Sequence, residues 1–329
     1  MNSTQNIPIL DGIDPEITQR LVSRRDAIAK GAAVGSTVAM GLAMASVPVA
    51  LGALSREAFG QSTALPTDIK NVLDFALALE IFENEFYSAV LGTSSSAAQN
   101  AAFAGVRGSV TGAALATVQQ IQKHEAAHVA FLKSVGATST LTANDFDFTG
   151  GRGSGTGPFA PATTDLAFLL TVAEGAEDTG VRAYKGQAGN LIGNNDSTHN
   201  TVLEAALRIH SVEARHASRI RRIRRLAAGA PDVVRLSGTI RGGGAAAAGA
   251  TGSPSAAVVA AFDKIYGGAT PESNTTHVVF NGSAEASINA ATLSGILGGT
   301  DAVTEAFDEP LTRAEVVAIV QPFFIPTIA

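Results

Sequence analysis

The sequence predicts an all-α protein organised as an antiparallel four-helix bundle with one long crossover, extended at its C-terminus by short helices and loops. Three observations carry this. The chain of 329 residues is rich in Ala and Gly, 5% aromatic and 16% charged, a composition that favours closely packed helices over sheet. Four long stretches between residues 67 and 228 are bounded by helix start and stop signals, with a Gly-rich segment between the second and third. Two Glu-x-x-His motifs at helical spacing fall in the second and fourth of these stretches.

The ends of the composition narrow the chemistry. There is no Cys, which removes disulfides, thiolate metal sites, iron–sulfur clusters and Cys nucleophiles together. A formal charge of −6 gives no reason to expect a nucleic-acid partner. Residues 1–60 read as a targeting segment. Paired Arg24–Arg25 and Lys30 precede a mildly apolar run from Gly31 to about Leu54, which resembles a twin-arginine signal. The run is long enough to span a bilayer, but its Gly and Ser content makes it a poor lipid-facing helix. The expectation is therefore an exported protein, periplasmic or in the cell envelope, that meets a membrane only through this signal.

The first helix is expected from about Asp68 to Leu91, stopped by Gly92, and the second from about Thr111 to Val135, stopped by Gly136. Residues 136–162, with Gly150-Gly151-Arg152-Gly153-Ser154-Gly155, lack helical periodicity and read as a crossover loop. The third helix is expected from about Thr164 to Ala188 and the fourth from near Thr198 to about Ala228. Short links within each pair and one long link between the pairs make a bundle over 67–228. Residues 238–329 read as an appended layer packed on it, with helices near 255–266, 283–297 and 310–321.

The motifs converge on metal chemistry. Glu125-Ala126-Ala127-His128 and Glu213-Ala214-Arg215-His216 each put a carboxylate and an imidazole on one helix face. Glu80 precedes Tyr87 by seven residues, and Glu177 precedes Tyr184 by seven, nearly two turns, so each pair shares a face. The order Glu…Tyr then Glu-x-x-His occurs twice, a weak internal repeat. Two such halves packed antiparallel bring four Glu and two His into one core, a donor set suited to iron, manganese or zinc. Four buried carboxylates need cations nearby, because burial and mutual repulsion otherwise drive them neutral. Glu174 lies one turn from Glu177 and Glu83 one turn from Glu80, on nearly the same faces, as rivals to them. Tyr87 and Tyr184 are candidates for proton or radical transfer. His124 sits beside Glu125 but off the ligand face, while His199 and His277 are expected to be exposed. Ile220 and Ile223 continue the buried face of the fourth helix, leaving the arginines between Arg219 and Arg225 on its wet sides.

The stretches Leu77 to Tyr87, Glu177 to Tyr184, His124 to His128 and Phe307 to Thr312 resemble the ferritin-like family that includes desiccation-related proteins. The ligand pattern over 67–228 is also similar to rubrerythrins and ferritins, and the paired carboxylates of rubrerythrin-like helices imply Glu174 as an additional ligand. The resemblance implies two iron ions, with manganese or a mixed pair as alternatives, and oxidation of Fe(II) by O2 or peroxide in stress or iron handling. It equally admits a stress-related envelope protein whose metal site is structural. The expected partners are metal ions and O2 or peroxide, and homo-oligomer formation remains open.

Overall fold

The computed structural model describes residues 65–192, 197–227, 255–280, 285–293, 295, 303–304 and 306–328. The expected signal segment over 1–60 lies outside them. The described chain is mostly helical. Its long helices are α1 (Thr67–Leu91), α4 (Gly112–Ser134), α5 (Leu166–Ala188) and α6 (Ser197–Ala227). Local chemistry sets their ends. Gly92 closes α1 at φ 80°, its N–H bonding to Ser88 and Ala89 carbonyls, a left-handed conformation that Gly adopts without penalty. The Asp165 carboxylate caps α5 by accepting from the Phe168 N–H at 2.8 Å.

Cross-helix hydrogen bonds fix how these helices run. Between α1 and α4, Asp74 accepts from the Thr138 N–H just beyond α4 at 2.7 Å, while Gln122 donates to Asn84 at 3.1 Å. Between α5 and α6, Glu174 faces Arg224 at 3.1 Å, and His216 lies 3.1 Å from Glu177. Between α4 and α6, Arg219 bonds Thr117 at 3.1 Å, and His128 lies 3.2 Å from Glu213. In each pair, rising numbers on one helix meet falling numbers on the other, so the neighbours run in opposite directions. The core between them holds Leu77, Ile81, Phe86, Leu169 and Ile220, all buried.

Three expectations are corrected. The link from α1 to α4, expected to be short, carries two helices, α2 (Ala97–Ala102) and α3 (Ala104–Arg107), tied to α1 by Arg107, which donates to the Val90 and Ala89 carbonyls at 3.0 and 2.9 Å. The helix expected near 283–297 is instead strand β2 (Glu285–Asn289) followed by a 3-10 turn (Ala290–Leu293). It pairs antiparallel with β1 (Thr276–Phe280), Thr276 opposite Asn289. The physical reason is local: β-branched and aromatic residues in Thr276-His277-Val278-Val279-Phe280 are followed by Asn281-Gly282, a hairpin turn signal that outweighs the alanines. The third correction is smaller. The helix expected from 310 starts later, as α8 (Arg313–Val320), where Thr312 and Glu315 form a reciprocal capping box; α7 (Ala256–Tyr266) falls where a helix was expected.

Arg182 joins this C-terminal layer to α5. It is 2% exposed and donates to the carbonyls of Glu309 at 2.8 Å, Thr270 at 2.7 Å and Gly267 at 3.0 Å, and to that of Ile265. Glu272 neutralises it at 3.0 Å. A buried guanidinium has five N–H groups to satisfy, and the loops around α7 and α8 supply the acceptors.

Candidate metal centre

The four long helices bring Glu80, Glu125, His128, Glu177, Glu213 and His216 together in the core. The four carboxylates are fully buried. His128 Nδ1 lies 3.0 Å from Glu80 Oε2, 3.0 Å from Glu125 Oε2 and 3.2 Å from Glu213 Oε1. His216 Nδ1 lies 2.9 Å from Glu125 Oε1, 3.1 Å from Glu177 Oε2 and 3.6 Å from Glu213 Oε2. Glu125 and Glu213 thus face both imidazoles with one oxygen each, while Glu80 and Glu177 each serve one. Two overlapping groups result, Glu80–Glu125–His128–Glu213 and Glu125–Glu177–Glu213–His216, and either could hold a metal ion, with donor atoms all within 4.8 Å of one another.

The donor set fits a cation better than it fits protons. An imidazole Nδ1 carries at most one N–H, yet each of these faces three carboxylate oxygens. Glu125 Oε1 and both oxygens of Glu213 are buried without a hydrogen-bond partner, an expensive condition for an anion. Adjacent donors on an octahedral ion with bonds of about 2.1 Å lie about 3.0 Å apart, close to most of the separations found here.

Charge in the cluster is finely divided. Burial pushes the Glu80 carboxyl up to about 8, the charge of Glu213 adding to it against the pull of His128. Burial likewise holds Glu177 well above the usual carboxylate range, despite its contact with His216. For the imidazoles burial acts downward and loses: His128 is raised by the Glu80 charge and its carboxylate contacts, and contacts with Glu125 and Glu177 push His216 up to about 12. Glu213 goes the other way, because contacts with His128 and His216 outweigh its burial. The two raised imidazoles thus bring positive charge against the buried carboxylates.

The surrounding residues are placed as follows. Tyr87 donates to Glu177 and Tyr184 donates to Glu80; each tyrosine reaches across to the other helix's carboxylate rather than to the one seven residues before it. His124 Nδ1 lies 2.8 Å from His216 Nε2, and Gln120 lies 2.6 Å from His124 Nε2. That chain orients the His216 ring, a role usual for groups behind a metal-binding imidazole. Glu83 is buried beside Glu213 in space left by Gly180, where a Cβ would stand 3.2 Å from Glu83 Oε1 and 3.5 Å from Glu213 Oε2. Burial, then the Glu213 and Glu177 charges, hold its carboxyl well above the usual range.

Glu174, expected as a ligand, is a correction. It belongs to neither metal-competent group and faces Arg224 at 3.1 Å and Arg221 at 3.5 Å. The same contacts correct the reading of the arginine run, since Arg221 and Arg224 turn inward to neutralise a buried carboxylate. The antiparallel register that sets Glu177 against His216 also sets residue 174 against residue 221, so the signal lay in combining two helices. His199 is also buried rather than exposed, 2.8 Å from Asp68.

Residues 68–225 match the family model described as a ferritin-like domain. That span holds all four long helices almost to their ends. Among curated proteins and among solved structures nothing matches.

Proposed function

We propose that the four long helices are a ferritin-like antiparallel bundle with one long crossover, whose Glu80, Glu125, His128, Glu177, Glu213 and His216 hold two metal ions, iron in the first instance. The observation that carries this is the surrounding of each Nδ1 by three carboxylate oxygens at 2.9–3.6 Å, with three of those oxygens otherwise unpartnered. Glu80 and His128 would hold one ion and Glu177 and His216 the other, with Glu125 and Glu213 placed to serve both. Iron held there would supply a change of oxidation state, so the reading extends to oxidation of Fe(II) by O2 or peroxide. The chain's own residues keep water out of the core, hold the imidazole rings, and place the Tyr87 and Tyr184 hydroxyl protons against Glu177 and Glu80. Export through a twin-arginine route, suggested by Arg24–Arg25, suits a protein that folds around its metal before it crosses a membrane.

The test is elemental analysis of protein purified from its own host, followed by anaerobic loading of metal-free protein with Fe(II) and admission of air. The expected result is about two metal ions per chain and a rise in ferric absorbance. Stoichiometric binding without that rise would favour the structural reading of the site, and no binding would sink both. Export is checked separately: replacing Arg24 and Arg25 with Lys should retain the protein in the cytoplasm.

A further inference from the structure

The two halves of the repeat are not packed alike. In the core beside Tyr184, between α1, α4, α5 and α6, lies an apolar cavity of about 30 Å³, room for about two water-sized molecules. It sits at the Glu80–His128 end of the carboxylate cluster. Leu79 and Tyr184 line it, and so does Phe131, one turn along α4 from His128. Tyr184 and Gln187 are its polar neighbours, and the Tyr184 hydroxyl and the Gln187 side-chain oxygen are engaged elsewhere. The Tyr184 hydroxyl donates to Glu80, and Gln187 Oε1 accepts from Asn190 at 2.9 Å.

The repeat shows which side chains leave this space open. Aligning Glu177 with Glu80 sets Ala183 against Phe86, and aligning Glu213 with Glu125 sets Ala205 and Ala206 against Thr117 and Val118. All three alanines line the cavity. Their counterparts are larger and buried. The Phe86 ring stands edge-on to Tyr87 with centroids 5.2 Å apart, and Thr117 is occupied by Arg219. Leu79 runs the other way, being larger than Ala176, but Ala176 faces Phe262 and Ile265 of α7 instead.

We infer that this cavity is a binding site for a small apolar gas, dioxygen in the setting of the proposed function on which this rests, and that it serves the Glu80–His128 half of the metal site. A space lined almost wholly by apolar side chains takes up apolar molecules in preference to water, which finds few partners there. Hydrogen peroxide, with two O–H donors to satisfy, would lose its hydrogen bonds on entering. The geometry therefore separates the two oxidants: dioxygen reaches the site through the alanine-lined space, and peroxide does not use it. It also makes the two halves of the pseudo-symmetric cluster unequal.

Crystals of the metal-loaded protein pressurised with xenon test the cavity without any turnover. Xenon should occupy the space between Ala183 and Ala206 in the native chain and be absent from Ala183→Phe, which copies Phe86. In stopped-flow with Fe(II)-loaded protein, Ala183→Phe should slow oxidation by O2 about tenfold and leave oxidation by hydrogen peroxide within about twofold. Ala206→Val, which copies Val118, provides a second and smaller plug should the Phe variant fold poorly, and its O2 rate should fall in the same sense. No xenon at this position, an unchanged O2 rate in a variant that excludes xenon, or equal slowing with both oxidants would each overturn the inference. A chain that takes up xenon there but binds no metal would instead overturn the proposed function, and with it the link to dioxygen.

Discussion

Metal loading should expel protons, and the cluster gives their number. Each metal-binding group must be deprotonated before it can donate to an ion. At pH 7 in the metal-free chain, His216 is protonated because its pKa is pushed up to about 12, and His128 is raised in the same direction. Glu80, pushed up to about 8, holds most of a proton, and Glu177 is held well above the carboxylate range. Glu213 is already ionised, since its pKa is depressed. One proton from each imidazole and most of one from Glu80 makes about three protons released on filling both sites at pH 7, and the upward shift of Glu177 adds to that count. The assay is calorimetric titration of metal-free protein with Mn(II), which avoids redox change, in several buffers of different ionisation enthalpy. The slope of apparent enthalpy against buffer enthalpy counts the protons. By linkage, each proton released steepens the dependence of the loading constant by about one logarithmic unit per pH unit, so affinity should climb sharply between pH 6 and 8. Release of fewer than about one proton per chain at pH 7 would refute the charge assignment, because it would mean neutral imidazoles and ionised carboxylates in the metal-free core.

Metal-free protein should also be most stable near pH 5 and weaken as pH rises. Glu80 and His216 have folded pKa values above their ordinary ones, so their contributions are complete below those ordinary values and are lost as pH rises toward about 8 and about 12. Glu213 is depressed and limits the acid side, losing its contribution as pH falls below the ordinary carboxylate value. Melting in the presence of a chelator at pH 5 and pH 9 checks this, and a higher melting temperature at pH 9 would contradict it. Two substitutions one turn apart should behave differently. Glu177→Ala should lower the metal content from about two ions to about one and leave Tyr87 without its acceptor. Glu174→Ala should leave the metal content intact but destabilise the chain by about 3–5 kcal/mol, because Arg224 and Arg221 lose a buried counter-charge; metal counts and melts on the same preparations decide, and the reverse ranking would show that Glu174 is the ligand.

The helix bounds and the convergence of six side chains were legible because each rests on spacing within one helix. Seven-residue and three-residue intervals fix a face whatever the helix packs against, so Glu80, Glu125, His128, Glu177, Glu213 and His216 were recoverable from one dimension. What failed required the register between helices. Whether Glu174 meets a metal or an arginine depends on how far α6 slides along α5, and the same register decides whether Arg221 is wet or buried. The crossing of Tyr87 to Glu177 and Tyr184 to Glu80 is of the same kind, since spacing along a helix cannot say that a side chain prefers the facing helix. The hairpin over 276–289 failed for a different reason. Alanines at 286, 290 and 291 argued for helix, and the decisive β-branched run lay before the expected element.

Pseudo-symmetry is the sharpest case of what the one-dimensional pattern conceals. Equal spacing of Glu80 with Tyr87 and Glu177 with Tyr184 suggests equal roles, and the cluster itself keeps that equality: one carboxylate and one imidazole for each half, two carboxylates shared. The packing around it does not. Phe86, Thr117 and Val118 fill one side where Ala183, Ala205 and Ala206 leave space on the other. His216 has His124 and Gln120 behind it, whereas position 212, the repeat partner of 124, is a valine that cannot accept a hydrogen bond. A close-packed core keeps a void only where side chains cannot collapse into it, so three alanines suffice to differentiate two otherwise matched half-sites. Asymmetry of this kind arises by changing side chains about two turns along the helices from Glu177 and Glu213, at no cost to the donor set that holds the charge.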